Sequence, residues 1–209
     1  MRNNQKLAFS IIEVLIAIFI FALGITSIYM LINSSIKANN YNKNQIIAVN
    51  LVREELELIR NIRDSNYKSF NVWNKKNPEG VNSTNYLDSN VYFLTGHIYI
   101  LENDFSPSAD FPIKVNDITT IFWEWKSELE WKMNNYRLCL TSQWIYTYDC
   151  SSSSWNKKTK FYRYLKIDEV KNSSWVIQNA LKVTSKVIWY INWYHEIKIS
   201  TILTDWKRL

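Results

Sequence analysis

Residues 7–36, LAFSIIEVLIAIFIFALGITSIYMLINSSI, decide the architecture. From Val14 to Ile36 no residue is charged, and Val14–Ile32 is almost wholly apolar. At about 1.5 Å of rise per residue, this inner run makes a helix about 29 Å long, enough to cross a hydrocarbon core. One carboxylate, Glu13, stands at the lip of the run. A charge there costs several kcal/mol unless it is paired or stays near the headgroups, which marks it as functional. The preceding residues, MRNNQKLA, are polar and carry Arg2 and Lys6. A secretory signal fits poorly, because the apolar run exceeds a typical signal core and no A-x-A site follows it. A plain membrane anchor fits the length but leaves Glu13 without a role.

Working outward, the chain of 209 residues is 47% hydrophobic and 15% aromatic, too apolar for a disordered tail. Its length suits one globular domain plus an appendage. A net charge of +6 with pI about 9.1 permits weak attraction to nucleic acid or anionic lipid. It falls short of the charge footprint of a dedicated nucleic-acid binder. Three glycines exclude most Gly-rich nucleotide loops, and two cysteines with two distant histidines exclude a self-contained four-ligand zinc site. No segment marks a nucleophile elbow. An enzyme is not expected.

The stretch K-L-A-F-S-I-I-E-V-L-I-A-I, residues 6–18, resembles the cleavage motif of type IV prepilins and type II secretion pseudopilins. The resemblance implies that a prepilin peptidase removes residues 1–8 by cutting between Ala8 and Phe9, and that Glu13 is the fifth mature residue. Family leaders usually end in Gly, and Ala8 departs from that. It further implies a non-enzymatic minor pilin or pseudopilin, with methylation of the new terminus and assembly by helix–helix packing with other subunits. Expected partners are the peptidase, the lipid bilayer and an inner-membrane assembly platform, with any DNA or surface ligand unspecified. The expected location is the inner (cytoplasmic) membrane, single-pass with the head extracytoplasmic, and then a cell-surface or periplasmic filament. Arg2 and Lys6 before the span are balanced by Lys37 and Lys43 after it, so orientation rests on the resemblance rather than on loop charge. The rival is a single-span anchored adhesin or binding domain that never polymerises; an anchored hydrolase would need a polar pocket the sequence does not advertise.

The implied fold is α+β and pilin-like, a long N-terminal helix packed on an antiparallel β-sheet head. Its divisions are a leader (1–8), a transmembrane and assembly helix (9–36), an amphipathic continuation (37–64) and a β-rich extracytoplasmic head (65–209). In the continuation, Val49, Val52, Leu56, Ile59 and Ile62 recur at the spacing of one helix face. Arg53, Glu54, Glu57, Arg60 and Arg63 lie opposite, with Glu57–Arg60 and Arg60–Asp64 at favourable spacings. The polar run Asn39–Asn44 is expected to loosen the helix. Residues 65–90 are expected to form a loop. Strands are expected at Val91–Leu101, Pro112–Val115, Tyr136–Thr141, Ile145–Cys150, Lys160–Ile167, Leu181–Ile191 and His195–Leu203; residues 119–133 are compatible with helix or irregular chain. The clearest alternation runs Leu181, Val183, Ser185, Val187, Trp189, Ile191.

Cys139 and Cys150 flank an expected hairpin and are expected to form a disulfide. His97 and His195 are expected to be structural. No cofactor is expected; Asp104 and Asp110 flank a Pro/Ser loop as a distant calcium possibility without EF-hand spacing. Ten tryptophans against three glycines is the oddest feature. Together they make about 6% of the chain, close to the roughly 7% that glycine alone usually contributes. Trp144, Trp155, Trp175 and Trp193, and more weakly Trp73, sit beside turns where glycine is the usual choice. This suggests a lineage in which the UGA codon is read as glycine. The opposing interpretation is a Trp-rich adhesive or carbohydrate-stacking surface.

Overall fold

A computed structural model describes residues 10–78, 91–104, 111–122, 136–150, 156–172, 175–191 and 193–205. The chain divides into two compact units, Met1–Ile46 and Ile47–Leu209. One helix, α1 (Ile11–Lys68, 58 residues), runs unbroken through the boundary. The Asn39–Asn44 run does not interrupt it. Asn44 turns its amide back onto the Asn40 carbonyl at 2.6 Å, so the polar side chain satisfies itself within the helix. The helix also continues one turn past Arg63, where the composition reads as loop. Tertiary contacts hold that turn: Asn66 donates to the Lys75 and Trp73 carbonyls, and the Tyr67 hydroxyl reaches Thr204 O and Asp205. A left-handed Phe70 (φ 57°) then closes the helix, with Asn71 N donating to Asn66 O.

In the second unit α1 packs on one seven-stranded antiparallel sheet. Its strands are β1 (Ile98–Asn103), β2 (Ile113–Asp117), β3 (Arg137–Leu140), β4 (Tyr146–Thr147), β5 (Lys157–Asn172), β6 (Trp175–Ile191) and β7 (Trp193–Thr204). A short helix, α2 (Thr119–Phe122), follows β2. The long β5 organises the sheet. Its N-terminal half pairs β3 and its C-terminal half pairs β1 on one edge, while β6 covers the other edge and β7 lies beyond.

Alternation puts Leu181, Val183, Val187, Trp189 and Leu203 on the helix side, against Ala48, Leu51, Val52, Leu56, Ile59 and Ile62. A second cluster, Ile98, Ile100, Ile118, Tyr162, Tyr164 and Ile188, covers part of the opposite face. The middle of β5 is therefore buried on both faces, Phe161 and Leu165 in the cluster under α1 and Tyr162 and Tyr164 in the second.

Three expected strands come out shorter, Tyr136–Thr141 by one residue at each end and two others by more. The segment from Val91 is not a strand until Ile98, because Gly96 adopts a left-handed turn (φ 80°) tied to Ile167 O at 2.8 Å. Tyr92 contributes only an isolated bridge to Lys75. The Ile145–Cys150 segment pairs only at β4, because the Glu102 carboxylate takes the Tyr148 N–H at 2.9 Å and the Thr147 hydroxyl in place of a ladder partner.

Cys139 and Cys150 form a disulfide with Cα atoms 5.5 Å apart. Closing so short a loop is worth about 2–3 kcal/mol in the chain-entropy account. His97 lies just before β1, with Nδ1 2.7 Å from Asp117 Oδ2, and His195 stacks on the buried Trp189 across the β6–β7 ladder.

Candidate functional site: the amino-terminal helix

Helix α1 begins in a local signal that is easily missed in so apolar a stretch. Ser10 occupies the N-cap position, its carbonyl accepting from Glu13 N at 3.0 Å and Val14 N at 3.3 Å. Ser10-x-x-Glu13 is the sequence pattern of a capping box, and Glu13 lies in the first turn. The orphan N–H groups and the positive end of the helix dipole favour a carboxylate here. Glu13 therefore sits where the helix itself offsets part of the cost of a charge at the edge of an apolar rod. Ala8 and Phe9, the residues of the expected cleavage, lie outside the described residues, as does the whole leader.

The first unit's stretch Ile11–Ile36 carries apolar side chains on every side of the helix, all of them exposed. Its most apolar window has a mean hydropathy of 2.6, none of it buried, and by length and composition it can cross a membrane. The few polar residues inside it look after themselves. Thr26 Oγ1 bonds Ala22 O at 2.5 Å, Ser27 Oγ bonds Leu23 O at 2.9 Å and Asn33 Nδ2 bonds Tyr29 O at 3.1 Å. Such back-bonds let a polar side chain enter hydrocarbon without an unsatisfied group. Glu13 is the one charged residue between Ile11 and Ile36.

Residues 3–29 match the family model of the prokaryotic N-terminal methylation motif. The chain carries the signature of type IV pilins and pseudopilins. The matched residues include the Ala8–Phe9 junction, Glu13 and most of the apolar run. No curated protein and no solved structure matches it. The β-sheet unit lies wholly outside the matched residues.

Among the described residues no group of His, Cys, Asp and Glu could hold a metal. Asp104 donates its N–H to Pro112 O, while Asp110 lies outside the described residues.

One polar cluster escaped the sequence reading. Glu55 sits in the middle of the buried stripe of α1, at the spacing Ala48, Val52, Glu55, Ile59, Ile62, and is fully buried. Its Oε2 accepts from Ser185 Oγ on β6 at 2.6 Å. Arg163 on β5, also buried, places NH1 3.2 Å from Glu54, NH2 2.9 Å from Leu101 O and Nε 3.3 Å from the Tyr148 hydroxyl. Burial pushes the Glu55 carboxyl up to about 7, against the lowering influence of Arg163 and the Ser185 hydroxyl. Glu54 beside it adds a further upward push, and the Leu101 backbone pulls down.

A carboxyl raised in the folded state contributes stability that is complete below its ordinary pKa of 4.5 and is lost as pH rises through about 7. The full-length protein in detergent is therefore expected to lose a few kcal/mol, and several degrees of Tm, between pH 5 and pH 7.5. Glu55→Gln should flatten that slope; an unchanged slope would show that Glu55 is not its source.

Proposed function

We propose that the chain is a minor pilin or pseudopilin, a non-enzymatic subunit cut between Ala8 and Phe9 and assembled through α1 into a pilus or secretion-type filament. The observation that carries this is Glu13, the single carboxylate of the exposed apolar stretch Ile11–Ile36, set in the first turn of α1 and inside the matched residues 3–29.

Cleavage frees the Phe9 ammonium at the edge of the bilayer. In a growing filament the Glu13 carboxylate of an incoming subunit pairs with the terminal amine of a neighbour. Leaving either charge alone in a low dielectric is costly, so the pairing also fixes the axial register of one subunit on the next. The apolar faces of α1 that lipid covers before assembly are covered by neighbouring helices after it. Removing Arg2 and Lys6 with the leader lowers the net charge by two from +6, leaving a mildly basic mature chain.

Terminal sequencing of the chain recovered from membranes or filaments tests the reading. A mature terminus at Phe9, methylated on nitrogen, is expected. An intact Met1 would instead make the protein a tethered β-rich domain.

A further inference from the structure

The hairpin closed by the disulfide carries a residue in a conformation that its side chain does not favour. Trp144 has φ 65°, inside the left-handed region. Trp144 N donates to Thr141 O at 3.0 Å, and Thr141 N donates to Ile145 O at 3.0 Å. This is a three-residue hairpin loop, Ser142–Gln143–Trp144. Its tight turn is followed by one left-handed residue that forms a bulge, and that last position belongs to glycine. The indole gains little there, being 81% exposed.

Positive φ alone does not single out the position, since Phe70 also has it at the end of α1. What separates residue 144 is the coincidence of three observations. The loop type calls for glycine at that place, the side chain is nearly free of burial, and the residue type is the one present in ten copies against three glycines. The other turn-adjacent tryptophans differ. Trp193 opens β7 paired with Ile191 in the β6–β7 ladder. Trp175 pairs with Asn172 in the β5–β6 ladder, Trp73 packs against the core, and Trp155 lies outside the described residues.

We infer that residue 144 of the native protein is glycine, encoded by a UGA codon that the producing organism reads as glycine rather than as a stop, so that the tryptophan written there stands for a glycine. The tip of the disulfide hairpin is then a bare tight turn and not an aromatic platform for a ligand.

Three measurements decide it. The codon for residue 144 is expected to be UGA, and UGG there overturns the inference. Tandem mass spectrometry of the native protein across residues 138–157 should give the residue mass of glycine at 144; tryptophan at that place overturns it. In recombinant full-length protein in detergent, Trp144→Gly should raise Tm by about 2–4 °C by relieving the left-handed strain. Trp193→Gly, at a strand position, should not raise it. A Tm that is unchanged or lower for Trp144→Gly contradicts the strain argument.

Discussion

A chain carrying Glu13→Ala is expected to insert and be cleaved normally, yet to enter filaments at least tenfold less than the parent. Insertion depends on the apolar run from Val14 to Ile36, which the substitution lengthens rather than breaks. The proposed cleavage falls at the Ala8–Phe9 junction, which the substitution leaves alone. In the proposed filament, assembly alone loses a partner, because a neighbour's terminal ammonium is then left unpaired in a low-dielectric interior. Breaking such a pair costs several kcal/mol, and each 1.4 kcal/mol is a factor of ten in equilibrium. Glu13→Gln is the sharper control, since it keeps the shape and the capping geometry while removing the charge. The measurement is the fraction of processed subunit in sheared or pelleted filaments against the fraction retained in membranes. Normal incorporation of both variants would remove the charge pairing from the account, whereas loss of cleavage would move Glu13 from assembly to processing.

Arg163→Ala is expected to destabilise the β-sheet unit by about 3–5 kcal/mol, followed by urea unfolding of the full-length protein in detergent. The guanidinium is buried between α1 and the sheet and holds the Leu101 carbonyl, the Tyr148 hydroxyl and Glu54 together. Removing it strands the Leu101 carbonyl and takes away the positive charge that opposes burial of Glu55, so the Glu55 carboxyl is pushed up further. The cost should be partly recovered when the second buried charge is removed as well, as in Arg163→Met with Glu55→Leu, because Glu55 is then no longer left buried without the opposing charge of Arg163. A double variant no better than the single one would place the loss in packing, not in charge.

These two predictions rest on different kinds of legibility. Glu13 could be read directly because its neighbours are uniformly apolar, and the meaning of one charge in such a run does not depend on what folds around it. The last two strands were equally plain: period-two alternation at Leu181–Ile191 can be satisfied in only one way by a sheet with a covered face. Glu55 was passed over because a charge beside Glu54 and Glu57 looks like part of a solvated face, although its spacing to Val52 and Ile59 places it on the buried stripe. Arg163 gave no signal at all, since it is buried only when α1 packs over its side of β5, and that contact joins residues more than a hundred positions apart.

The amino-acid order alone settled what is local: a rod long and oily enough to cross a bilayer, the acid at its lip, the cysteine pair flanking a hairpin and the alternation of the final strands. Each follows from side-chain chemistry within a few residues along the chain. Only the folded molecule decided where β5 ends and what it pairs on each edge, which charges are sealed under α1, and which tryptophan stands in a left-handed turn. Those outcomes depend on segments far apart in the chain meeting, and on backbone angles that the sheet and the disulfide hairpin impose together.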